Sequence, residues 1–232
     1  MRRSLVFIIL GAMIIIALGV NGVSAQTARK YSIVGGAELA FAVAPSQFTD
    51  YYTMGYGGLV GMEFPVSPNW AFQGGFDVKL FSPAAGMIKD WWTDEGEYPR
   101  ATNIAVGEGQ ATALTLFIVS KGSLRKEGQR TFPFVKGGFG VTMAWADAIK
   151  VSWDDPYSPR QTDWVSGFEE VTKISILLGL GMETGLAGRS SLFIEAGIHM
   201  TLQDQANPTI ALSILQDLSD RTIAPLTIGV KF

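Results

Sequence analysis

From Lys30 onward the chain alternates apolar and polar positions with a period of two in eight separate stretches. The final one, Arg221 to Phe232, shows the pattern most plainly. Ala224, Leu226, Ile228, Val230 and Phe232 fall on one side, and Ile223, Pro225, Thr227, Gly229 and Lys231 on the other. In an extended chain successive side chains point to opposite faces, so this spacing predicts strands with one greasy and one mixed face. The other predicted strands are Lys30–Val43, Tyr52–Phe64, Trp70–Phe81, Ala111–Ser120, Thr131–Trp145, Thr172–Thr184 and Ser191–Thr201. Ala111–Ser120 is apolar on both faces and carries the weakest alternation.

The links between these strands alternate in length. Those after the second, fourth and sixth strands are short and turn-like: Pro65–Asn69, Lys121–Arg130 and Gly185–Arg189. Those after the third, fifth and seventh are long: Ser82–Gln110, Ala146–Val171 and Leu202–Asp220. Short turns at one end and long loops at the other are the habit of membrane barrels, whose periplasmic turns are short and extracellular loops long. Strands near ten residues long suit a tilted crossing of a bilayer. The predicted fold is therefore all-β, an eight-stranded antiparallel up-and-down transmembrane β-barrel filling residues 26–232.

Composition sharpens this picture. Only 17% of residues are charged and 47% are hydrophobic, yet the apolar residues after Ala25 are dispersed rather than gathered into a helix-length run. In lipid every backbone donor and acceptor must be paired, which leaves helices or closed barrels as spanning structures. The first residues have a different logic: Arg2 and Arg3 precede an apolar core, Leu5 to Val20, and Val23 and Ala25 supply small residues before a cleavage point. Residues 1–25 thus read as a secretory signal peptide, implying Sec-type export. Losing Arg2 and Arg3 with it takes the formal net charge from −3 to −5, so the chain carries no basic nucleic-acid footprint. With no cysteine, a disulfide framework and a thiolate metal site are excluded; with one histidine, neither a transition-metal cage nor a cofactor is expected.

The terminal strand resembles the closing strand of bacterial outer-membrane barrels. The segments VKGGFG and FIEAGIHM resemble strands of the OmpA-like and OmpW-like barrel families. The resemblance implies residence in the outer membrane of a Gram-negative-type bacterium, in contact with membrane lipid and lipopolysaccharide. It also implies that Phe232, with Val230 and Ile228, forms the signal read by the assembly machinery.

Parity assigns an ionic set to the inward face: the acids Glu38, Glu63, Asp77, Glu183 and Glu195, and the bases Lys79, Lys136, Lys173, Arg221 and Lys231, with His199. An eight-stranded barrel is only wide enough for side chains to fill, so these groups are expected to form a salt-bridged plug rather than line a pore. Within it, Lys79 and Lys136 are expected to pair with Glu38, Asp77 and Glu195. Tyr52, Tyr56, Trp70, Trp145 and Phe232 are expected in interfacial girdles, where an apolar ring meets a wet headgroup. The long loops carry acidic and aromatic clusters, and Trp91, Trp92, Trp153 and Trp164 form the candidate external contact surface for a partner the sequence leaves unnamed.

Three functions follow in order: a non-enzymatic structural or surface-interaction barrel; a narrow channel for small or apolar solutes, favoured by inward Leu59, Phe117, Val119, Leu177 and Phe193; and a lipid A-modifying enzyme. The third rests on His199-x-Thr201, which resembles the His-x-Ser of outer-membrane lipid A deacylases. Here Thr replaces Ser and both residues turn inward, which separates them from lipid.

Overall fold

The computed structural model describes residues 31–44, 49, 51–90, 92–93, 101–107, 109–155, 157–165, 170–186, 190–202 and 221–232. The signal segment 1–25 and Trp91 lie outside them, as does loop 203–220. Among the described residues, eleven strands and a short helix occur in the order β1 (Ser32–Ala44), β2 (Tyr52–Ser67), β3 (Trp70–Pro83), α1 (Ala85–Asp90), β4 (Thr102–Val106), β5 (Ala111–Ser123), β6 (Thr131–Ala146), β7 (Ile149–Asp155), β8 (Ser158–Val165), β9 (Val171–Gly185), β10 (Ser191–Thr201) and β11 (Arg221–Lys231). Eight of the strands close into a barrel in the order β1-β11-β10-β9-β6-β5-β3-β2. All neighbours are antiparallel, from Leu39 against Leu226 at the seam to Leu116 against Val141 on the far side. The closed eight-stranded fold read from the alternation is the fold observed.

The barrel is inverted relative to a water-soluble one. Every barrel strand sends large apolar side chains outward into exposure, among them Leu39, Tyr56, Phe72, Ile118, Phe139, Leu180, Ile194 and Ile228. Meanwhile Glu38, Glu63, Asp77, Lys79, Lys121 and Glu183 are buried inside. Such an exterior is costly in water and suits hydrocarbon, while closure leaves no unpaired strand edge for lipid to meet. No helix among the described residues is long and apolar enough to cross a membrane.

Inward phenylalanines lie across glycines on the neighbouring strand. Phe134 opposes Gly181 and Phe193 opposes Gly229 in register. A Cβ built on Gly181 would stand 2.5 Å from Phe134 Cζ, and one on Gly229 would clash harder still with Phe193 Cζ. Only the missing side chain lets the rings lie flat inside so narrow a cylinder.

The remaining strands form a second sheet, β4-β7-β8, built from the two long connections that the sequence reads as irregular loops. β7 itself alternates, with Ile149, Val151 and Trp153 buried and Lys150, Ser152 and Asp154 turned away. Ile88 of α1, Trp92, Ile149, Val151 and Trp153 pack with Ala40, Tyr52, Phe81, Ala111, Ala113, Ala144, Ala146 and Ile223 of the barrel rim in one apolar cluster. The small inward residues at this end of β1, β5 and β6 leave a socket, and the crown of loops fills it.

Candidate functional site: the filled lumen and its crown

Three ionic groups succeed one another along the lumen. Nearest the crown, Lys79 on β3 bonds Asp77 of its own strand and reaches Glu38 Oε2 on β1 at 3.1 Å. Thr227 Oγ1 donates to Glu38 Oε1 at 2.9 Å. His199 Nδ1 lies 3.2 Å from Lys79 Nζ and 3.3 Å from Asp77 Oδ2, so the imidazole joins this group. Residues 77 and 79 are both inward because they are two apart on one strand, which lets one ammonium serve both its neighbour and the facing strand. In the second group Lys136 on β6 bonds Glu195 on β10, with the ammonium 5.4 Å from the Phe134 ring centroid and 5.5 Å from that of Phe193.

The third group lies at the end with short turns. Lys121 Nζ donates to Glu63 Oε2 at 2.9 Å and Glu183 Oε2 at 2.5 Å. Lys231 bonds the same two carboxylates, at 3.0 Å to Glu63 Oε1. Ser191 Oγ completes Glu183 at 2.7 Å. Lys121 also stands 4.6 Å from the Phe134 centroid, so that ring borders the ammonium groups of both Lys121 and Lys136. A hydroxyl chain, Thr115 to Thr142 at 2.9 Å and Thr142 to Ser175 at 2.6 Å, occupies the wall beside the first group.

Burying a charge is tolerable only when partners replace the lost water, and here each buried carboxylate has at least one ammonium in contact. Phe117, Val119 and Leu177 form an apolar cluster at the waist. The pocket left among Glu38, Asp77, Lys136, Glu195 and His199 measures 30 Å³, room for roughly one or two waters.

Most of the predicted lumen set is thus brought into contact, with two revisions. Lys136 meets Glu195 rather than Glu38 or Asp77, whose ammonium partner among the described residues is Lys79. Lys121, assigned to a turn in the sequence reading, is a centre of the third group, because β5 runs on to Ser123. The signal was available: Thr115, Phe117, Val119 and Lys121 share one parity. Lys173 and Arg221 line a 20 Å³ pocket with Phe81, Thr142, Thr201 and Ile223 under the crown. Thr201 Oγ1 donates to the Arg221 carbonyl at 2.9 Å, and His199 faces Lys79 and Asp77, so the His-x-Thr pair points into the lumen.

Two groups of aromatic residues also need correction. Tyr52 is buried rather than in a girdle. Between Tyr52↔Pro83 and Gly55↔Phe81 the strand β2 carries an extra residue, and that bulge turns Tyr52 inward against the crown cluster. Tyr56, Trp70 and Phe232 are exposed, and Trp145 is half-buried on the outward parity. Trp92 and Trp153 do not form an external surface: both are buried, their ring centroids 5.1 Å apart and tilted by 56°. They are drawn in by the socket beneath them. Trp164 is exposed, with Lys150 Nζ 6.0 Å from its ring. At the chain end Ile228 and Phe232 are exposed, and Phe232 N–H and C=O bond Ile33 at 2.9 and 3.1 Å across the seam.

No family model matches this chain, and no curated protein matches it. Among solved structures it is similar to Neisserial surface protein A, at 10% identity over 89% of this chain and 98% of that one, with a TM-score of 0.45. It is also similar to Ail, the attachment invasion locus protein of Yersinia pestis, at 11% identity over 87% and 97% and a TM-score of 0.42. A major outer membrane protein from Thermus thermophilus aligns at 14% identity over 87% and 98%, TM-score 0.43. Likenesses of this order add nothing to the strand pairing, which establishes the closed barrel by itself.

Proposed function

We propose that this protein is an integral bacterial outer-membrane barrel with a structural or surface-interaction role, its lumen closed by the ion-paired network. The observation that carries this reading is the set of buried lysine–carboxylate contacts crossing the lumen at three levels. The apolar crown seated in the alanine-lined socket supports it as a second barrier. Surface contact then falls to the outer face of the crown, where Trp164 and Lys150 are exposed and fit a headgroup or lipopolysaccharide phosphate beside the barrel. Phe232 serves the assembly machinery, and residues 1–25 serve export. The inward placement of His199 and Thr201 supports a role without catalysis.

The narrow channel is the second reading, favoured by the apolar waist at Phe117, Val119 and Leu177. Planar-bilayer recording with the purified protein separates them. The closed barrel gives no steady current. Reproducible ohmic steps would transfer the protein to the channel class.

A further inference from the structure

The end of the barrel with short turns opens into a vestibule that the ionic plug does not use. Its volume is 810 Å³, within the ~300–1,000 Å³ typical of small-molecule sites. Its floor is the third ionic group, where Glu183 is already neutralised by Lys121 and Lys231 and bonded by Ser191. That floor therefore offers an anion no net repulsion. The wall adds Arg125 and Arg130 from the turn between β5 and β6, neither of which makes an ion pair with any described residue. Arg125 is held at 5.3 Å over the Phe132 ring. The Arg130 carbonyl accepts from Gly185 N–H at 2.8 Å, tying this turn to the one between β9 and β10 that supplies Leu186 and Ser190. Phe132, Glu183, Ser191 and Lys231 share the inward parity, so the vestibule opens along the barrel axis and not toward lipid.

We propose that this vestibule binds a small soluble organic polyanion, a di- or tricarboxylate, with the guanidiniums of Arg125 and Arg130 each taking a carboxylate. A guanidinium presents a planar fork of donors matched to that group, and two of them around one cavity favour a ligand with more than one acid. The site is independent of conduction, so its failure leaves the closed-lumen reading standing.

The test is calorimetric titration of citrate into the full-length protein in zwitterionic detergent micelles. Wild type is expected to bind saturably, about one citrate per barrel. Arg125→Gln and Arg130→Gln are each expected to weaken binding by about tenfold, the loss of one charge-assisted contact. Lys89→Gln, on α1 at the opposite end, is expected to bind as wild type. Circular dichroism confirms that each variant keeps its strands, since both arginines are exposed turn residues. Absence of saturable binding to wild type overturns the proposal. So does an equal loss in Lys89→Gln, which marks unspecific charge attraction, or unchanged affinity in both arginine variants.

Discussion

Lys121 shows how much one residue holds in this lumen. It contacts Glu63 and Glu183 and lies against Phe134, so it joins β2, β5, β6 and β9. Removing one member of a buried pair leaves the other charge uncompensated, typically at a cost of about 3–5 kcal/mol. Lys121→Met is expected to lower unfolding stability by that order in urea titration, with Lys231 limiting the damage because it shares both carboxylates. Lys136→Met is a simpler case, its carboxylate contact being Glu195. Adding Glu195→Gln to it should recover part of the loss, whereas adding Glu38→Gln should not, since Glu38 belongs to the Lys79 group. If neither lysine substitution shifts the transition, the lumen is wet enough to solvate its charges.

Among the elements, β7 and its hairpin partner β8 decide what the long loops are. A strand of alternating apolar residues cannot stand alone in water, because its greasy face needs a surface to cover. The barrel rim provides that surface through Ala111, Ala113, Ala144 and Ala146, whose small side chains admit Trp153 and Trp92. Truncating a buried tryptophan leaves a cavity, commonly costing about 3–5 kcal/mol when the surroundings cannot collapse. Trp153→Ala should therefore loosen the crown, read as new protease sites within 84–110 and 147–170, while the barrel core persists. Trp164→Ala, on the exposed face, should leave the protease pattern unchanged. A Trp153→Ala protein with an intact, resistant crown would show that the socket does not hold it.

Taken as one cylinder, the molecule carries its crown and its short turns at opposite ends. β1 and β11 pair along the seam, and antiparallel order places the links after β2, β5 and β9 together at one end. With those turns inside, proteases applied to intact cells should cut, if anywhere, within 82–110, 146–171 or 202–220 and spare 121–130 and 185–189. Cleavage of the latter pair from outside would invert the orientation, exchange the two mouths, and put the arginine vestibule on the cell surface.

Strand content, the alternation and the two ends of the barrel are legible before any folding is considered. These are local: a period of two assigns a face to each residue before any strand finds its neighbour. The inward ionic set was legible for the same reason, as parity alone collects Glu38, Asp77, Lys79 and Glu195. The bulge at Tyr52 was not legible, because one extra residue shifts parity only when a partner strand defines the register. Which lysine meets which carboxylate also waited for the strands to assemble. β1 and β11 lie at opposite ends of the sequence, and barrel closure alone sets them side by side. The crown is the clearest case. Ile149, Val151 and Trp153 alternate as a strand does, but their burial depended on a socket of alanines from three other strands, and only the assembled barrel makes that socket.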